Sequence, residues 1–131
     1  MAYMAELDQA NVVVKVRVVG DDVATEAWCR KFYKKPNATF IEAAKGGTLR
    51  HALPGKGWSY DADNDVFIGA KPHASWTLNT DFDWVAPIAV PPHADYRILW
   101  DEPNVRWLGY NENQLGKTFT WDTGLEQWVE I

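Results

Sequence analysis

Near its carboxyl-terminal end the chain writes one phrase twice: "LWDEPNVRWL" and, twenty-one residues later, "TWDTGLEQWV". Trp-Asp opens both (Trp100-Asp101, Trp121-Asp122). A second Trp follows seven positions after the first (Trp107, Trp128), and an aliphatic residue follows that (Leu108, Val129). Looser copies lie upstream. "SYDADNDVFIG" has Tyr60-Asp61 and then Phe67-Ile68 at the same spacing. "TLNTDFDWVAP" has Leu78-Asn79 and then Trp84-Val85, one residue shorter, and Leu7-Asp8 with Val12-Val13 repeats the form near the start.

Each part of the phrase has a physical reason. Asp or Asn at a strand end accepts hydrogen bonds from the backbone N–H groups just ahead of it and starts a turn. The polar stretch is the loop. The flanking apolar residues then meet across an antiparallel pair, where such contacts contribute about 0.5–1 kcal/mol each. The phrase therefore predicts a β-hairpin, and its repetition follows because one hairpin alone buries too little to be stable. Starts at 60, 78, 100 and 121 leave intervals of 18, 22 and 21. That is too irregular for a solenoid and suits hairpins packed around a common aromatic core. The expected core residues are Tyr60, Phe67, Trp100, Trp107, Trp121 and Trp128.

The amino-terminal part reads differently. "AYMAELDQANVVVKVRVV" predicts two strands about a turn at Asp8–Asn11, with Lys15 and Arg17 toward solvent and Val14, Val16 and Val18 toward a core. "DDVATEAWCRKFYKKP" changes period: Ala24, Ala27, Trp28 and Phe32 fall at helical spacing, which predicts one helix near residues 22–34. Asp21 or Asp22 is expected to cap it, Pro36 to end it, and Trp28 and Phe32 to anchor it in a core. "ATFIEAA" and "TLRHALP" predict two short strands joined at Lys45-Gly46-Gly47. The fold class that results is mainly β with one α-helix (α+β), a series of short antiparallel hairpins packed around an aromatic core. A chain of 131 residues is expected to form a single domain over 1–131, with a hairpin, helix and short strands in 1–54 and Trp-rich hairpin repeats in 55–131.

Eight Trp suit either a small β-rich core or a binding surface, because Trp buries a large area and stacks well on flat partners. The net charge of −5 tells against nucleic acid, since phosphate binding is driven by Lys and Arg. The basic cluster Arg30-Lys31 and Lys34-Lys35 sits at the end of the expected helix, where it complements the dipole. With Cys29 as the single cysteine there is neither an internal disulfide nor a cysteine metal cluster. Glu6 and Asp8 stand where a signal peptide needs an apolar run. "WVAPIAVPP" is apolar but short and broken by Pro87, so no membrane span is expected. Asn37-Ala38-Thr39 matches a glycosylation sequon, which carries no weight without a secretory signal.

Several motifs fall short of chemistry. Gly116-Lys117-Thr118 ends like a phosphate-binding loop, but Asn111 stands where the first glycine belongs and a strand-like "FTWD" follows where a helix is needed. Asp61, Asp63 and Asp65 resemble the start of a calcium loop. Val66 replaces its glycine and Pro72 its bidentate Glu, so the triad reads as an acidic turn. His51, His73 and His93 form no metal-ligand pattern, and Ser59 and Ser75 lack a nucleophile elbow. No catalytic, cofactor-binding or metal-binding residue is expected, and the chain is not read as an enzyme. Trp76 and Trp84, flanked by Pro72, Pro87, Pro91 and Pro92, are the candidate contact surface, because prolines cannot donate backbone hydrogen bonds and favour edges and projecting loops.

The opening "MAYMAELDQANVVVKVRVV", the middle "SWTLNTDFDWVAPIAVPP" and the close "YRILWDEPNVRW" resemble small virion-associated proteins of tailed phages, especially marine and cyanobacterial ones. Those begin with an A-x-x-A-x-L-D hairpin and carry S-W-x-L, then W-x-A-P, then Y-x-W-D-E. The likeness covers most of the chain. It departs at Arg97-Ile98-Leu99, where the family has fewer residues before Trp-Asp, and in an extra last hairpin over 117–131. These motifs mark the family rather than a chemistry. The resemblance implies a phage origin, synthesis in the host cytoplasm without a signal peptide and a place on the virion, and it supplies no catalytic residues. Two functions are open. One is a structural accessory of the particle, a head decoration or cement protein or a small tail component, that contacts major capsid or tail proteins or itself. The other is a carbohydrate-binding module of a tail or fibre, whose exposed Trp contacts host-surface glycan.

Overall fold

The computed structural model describes all 131 residues, Met1–Ile131. The protein is mainly β with one α-helix and several short antiparallel sheets. Its residues group into two compact units. The first comprises Met1–Ala70 with Thr80–Asp83, the second Lys71–Asn79 with Trp84–Ile131. No helix is long and apolar enough to cross a membrane.

In the first unit β1 (Ala2–Leu7) is the middle strand of a three-stranded sheet, between β2 (Val13–Val19) and β3 (Thr39–Ala43). Alternation along β1 sends its side chains to two different cores. Ala2 and Met4 join Val19, Cys29 and Phe40 beneath the helix α1 (Glu26–Phe32). Ala5 and Leu7 join Val13, Ala43 and Phe67 on the other face. Phe67 comes from a separate hairpin, β4 (Ser59–Asp61) with β5 (Val66–Ile68). This hairpin approaches the first residues of β2, where Val13 N–H donates to the Trp58 carbonyl and Gly57 N–H to that of Val13.

The expected facing of β2 holds for Lys15 and for Val16, which packs on the second core, and fails for Val14, Val18 and Arg17. Leu7 pairs with Val13 but Glu6 with Lys15, so Val14 is an extra residue in a β-bulge. A bulge changes the phase of alternation. Val13 is thereby buried on the same face as Val16, and Val14 is left 37 % exposed; Val18, opposite Tyr3, is 50 % exposed and Val19 is buried. Lys15 does face solvent, but Arg17 lies on the helix side, 3.8 Å from the centre of the Tyr33 ring and 2.9 Å from Glu6.

The helix is shorter than its periodicity suggests. Asp21–Val23 form a separate 3-10 turn, and the cap is Thr25, whose hydroxyl accepts the Trp28 N–H at 3.2 Å. Thr25 is extended, and that conformation separates the two turns. Trp28 packs on the core beneath the helix, but Phe32 is 61 % exposed and stacks on Trp28 from outside at 4.6 Å. "TLRHALP" is not a strand. Arg50 and His51 take left-handed φ of 54° and 75°, which breaks extension, and β3 pairs with β1 instead. Arg50 is a brace: its guanidinium donates to the Glu42 carbonyl at 2.8 Å and the Asp65 carboxylate at 2.7 Å.

The second unit contains the ribbon β6 (Thr77–Leu78) with β7 (Trp84–Val85). It also holds a four-stranded sheet of β8 (Arg97–Asp101), β9 (Arg106–Tyr110), β10 (Phe119–Asp122) and β11 (Gln127–Glu130), ordered β11-β10-β9-β8. The repeated phrase is a hairpin each time. Tyr60 pairs with Phe67, Trp100 with Trp107, and Trp121 with Trp128. The turn aspartates act as the residue type requires: Asp8 accepts from the N–H of Ala10 and Val12, Asp61 from Asp63 and Asn64, and Asp122 from Gly124 and Leu125. In the three full-length copies the residue four after the Asp is left-handed and turns the chain into the second strand: Asp65, Val105 and Glu126, with φ of 55°, 52° and 53°.

Candidate functional site

The register of the second unit's sheet gathers Ile98, Trp100, Trp107, Gly109, Phe119, Trp121 and Trp128 on one face. Within each hairpin the two indoles meet edge to face, Trp100 with Trp107 at 5.0 Å and Trp121 with Trp128 at 5.5 Å. Gly109 stands in the middle strand because nothing larger fits: an added Cβ would lie 2.8 Å from the Trp128 ring. Tyr96 extends the layer, stacked on Trp128 at 4.8 Å and edge-on to Phe119 at 5.5 Å.

Two kinds of polar contact fix this layer. Glu102 is the first. One carboxylate oxygen accepts the Ser75 hydroxyl at 2.6 Å and the Trp100 indole N–H at 2.8 Å, and the other accepts the Ser75 backbone N–H at 3.0 Å. The bonds from Ser75 and then Trp100 hold the carboxyl below the usual glutamate range. They also set the neighbouring Trp76, whose ring meets Trp100 and Trp107 at 6.0 and 6.2 Å. The second is a strap of backbone. The Trp107 indole donates to the Ile88 carbonyl and the Trp128 indole to the Pro92 carbonyl, each at 2.9 Å. Residues 88–92 are thereby tied to two of the sheet tryptophans.

Three grooves flank the strap. One, of about 460 Å3, is lined by Trp76, Trp84, Val85, Ala86, Pro87, Ile88, Ala89, Val90 and Trp107. Another, of about 430 Å3, runs between residues 88–92 and Trp121, Thr123 and Glu126. The third, of about 400 Å3, lies among Pro92, Ala94, Asp95, Tyr96, Trp121, Glu126, Gln127 and Trp128. The candidate contact residues thus line all three: Trp76, Trp84 and Pro87 the first, Pro91 and Pro92 the second, and Pro92 again the third. Trp76 and Trp84 are half-buried, Pro87 and Pro92 exposed, and Pro91 buried. The Trp76 indole N–H is buried and unpartnered. Of the six expected core residues, Phe67 and Trp107 are buried and Tyr60, Trp100, Trp121 and Trp128 half-buried. Tyr60 and Phe67 meet at 5.4 Å in the first unit; the four Trp belong to the second.

Ser75, which lacks a nucleophile elbow, has a structural role here, and Glu102 and Tyr96, which the sequence reading does not single out, join it. The signal for the first two lay in the motifs themselves: Ser precedes Trp in S-W-x-L and Glu ends Y-x-W-D-E, and the two residues bond each other. Two carboxylates of the acidic triad are engaged by the turn and its neighbours. Asp61 accepts from Asn64 and Asp63, and its carboxyl is held low chiefly by the Asn64 side chain. Asp65 accepts from the Tyr60 hydroxyl and Arg50. No three His, Cys, Asp or Glu side chains converge in a metal-binding arrangement. Comparison with protein-family models, with curated proteins and with solved structures returned no match to this chain.

Proposed function

We propose that this chain is a structural accessory protein of a tailed-phage virion, a head decoration or cement protein or a small tail component, and that it works by protein–protein contact. One observation carries the reading: the residues on which the phage resemblance rests hold one another in place. Ser75 bonds Glu102, Glu102 bonds Trp100, and Trp76 packs on Trp100. Motif residues of this kind build a rigid scaffold, and a scaffold's use is the surface it presents. The sheet face opposite the aromatic layer presents Leu99, 59 % exposed, and Tyr110, 38 % exposed. Its outermost strands are β8 and β11, and strand edges of this kind dock on other chains. Mass spectrometry of purified particles with copy-number estimation tests the reading. Hundreds of copies would place the chain on the head, and six or twelve on the tail or neck. Absence from particles with abundance in infected cells overturns it.

A second reading, contact with host-surface glycan, is favoured by one observation. Trp100, Trp107 and Trp128 each donate their indole N–H to a protein acceptor. Trp121 is the one sheet tryptophan whose N–H has no such bond, and it lines two grooves. Binding to a glycan array tests this reading.

A further inference from the structure

We infer that Trp121 is the platform of a subsite for a neutral pyranose sugar, with the carboxylates of Glu126 and Asp95 as its hydrogen-bonding rim. The inference rests on the glycan reading and adds to it a location and a sugar class. Trp121 is half-buried and makes a single ring contact, edge to face with Trp128. It lines two adjoining grooves, of about 430 and 400 Å3, that also share Pro92 and Glu126.

Both grooves combine apolar walls with carboxylates, matching the two surfaces that a sugar ring presents. Toward the strap the walls are Ile88, Val90 and Pro91. Toward the hairpin end the exposed carboxylates of Asp95 and Glu126 join Pro92, Tyr96 and Trp128. A pyranose with equatorial hydroxyls has an apolar C–H face and a polar rim. The face lies flat on an indole or against aliphatic carbons. The rim hydroxyls donate to the carboxylates of Glu126 and Asp95, which makes charge-assisted bonds. The Trp121 N–H adds one donor. The groove beside Trp76 and Trp84 lacks such a rim, its walls being aromatic and aliphatic.

Charge sets the class. Neither groove around Trp121 contains a Lys, Arg or His, and Asp95 and Glu126 are both exposed carboxylates. A sialic acid, uronic acid or phosphorylated sugar would bring its own negative charge against them with no cation to pair it, so acidic glycans are disfavoured. Neutral hexoses and N-acetylhexosamines of the gluco type, with a flat unhindered face, fit the platform.

The test uses the whole chain on an array of neutral and acidic oligosaccharides, with titration calorimetry on the array's best neutral ligand. Two variants are compared. Trp121→Phe keeps an aromatic ring in the layer but removes the N–H and narrows the platform. Glu126→Asn removes the carboxylate at a left-handed residue, φ 53°, that Asn tolerates. Circular dichroism and melting curves confirm that both fold. The expected result is binding to neutral pyranosides, weakened about tenfold or more by each variant. Neutral-sugar binding that neither variant changes overturns the location and leaves the glycan reading standing. Binding confined to acidic sugars overturns the class. Absence of binding to any sugar overturns both.

Discussion

Val105 shows most plainly what the hairpin design demands of a single residue. It holds φ at 52°, where a β-branched side chain is strained, because the turn needs a left-handed residue four places after Asp101. Asp65 fills the same place in the first unit at little cost, since Asp tolerates that conformation. Val105→Gly should therefore stabilise the protein by about 0.5–1 kcal/mol, the relief of strain exceeding the added chain entropy, and a rise in Tm would show it. Glu6 is a residue of the opposite kind, a buried charge that is paired. Burial by itself would raise its pKa, but hydrogen bonds from Lys35 at 2.8 Å and Arg17 at 2.9 Å outweigh burial and hold it below the ordinary 4.5. The folded value lies below the unfolded one. The contribution is thus complete above pH 4.5 and is lost as pH falls through the lower folded value. Glu6→Gln should flatten that acid limb in urea unfolding followed against pH. At neutral pH it should cost about 2–3 kcal/mol, because two cations lose their partner.

At the scale of elements, the hairpins were legible and their environments were not. Aromatic, Asp, loop and aromatic all fall within eight residues, so the turn chemistry of Asp61, Asp101 and Asp122 and the pairing of Trp100 with Trp107 could be read locally. The burial of Val13 in place of Val14 could not, because one unpaired residue shifts the alternation, and nothing local marks a bulge in a run of valines. The helix start misled for a related reason: Asp21, Asp22 and Thr25 are all good caps, and only packing chooses between them. Strand β9 carries the two substitutions that best test the aromatic layer. Trp107 is 6 % exposed, and Trp107→Ala should cost about 3–5 kcal/mol in denaturant unfolding. Gly109→Ala inserts a methyl 2.8 Å from a Trp128 ring that its bond to the Pro92 carbonyl and its stacking on Tyr96 keep from retreating. A loss of about 1–3 kcal/mol is expected from so small a change.

For the molecule as a whole, the mainly β fold with one helix followed from two periods and a repeat. The candidate site was legible in part: Trp76, Trp84 and the prolines were singled out as exceptional residues. Their connection through Ser75, Glu102 and the indole-bonded strap depends on contacts between residues 27 and 36 positions apart, which no local pattern encodes. The acidic turn makes a prediction at this scale too. Since Asp61 and Asp65 are satisfied by N–H and O–H donors of the turn and its neighbours, adding a chelator should leave the melting temperature unchanged, and a drop of several degrees would reveal a bound calcium ion. The paired indoles have one more consequence. Two indole rings with centroids 5.0 Å apart and planes at 70°, and two more at 5.5 Å and 70°, are close enough to couple their excitations. The chain therefore carries its own optical gauge, an exciton couplet in the ultraviolet dichroism that fades when either hairpin opens and reports on that hairpin with no label attached.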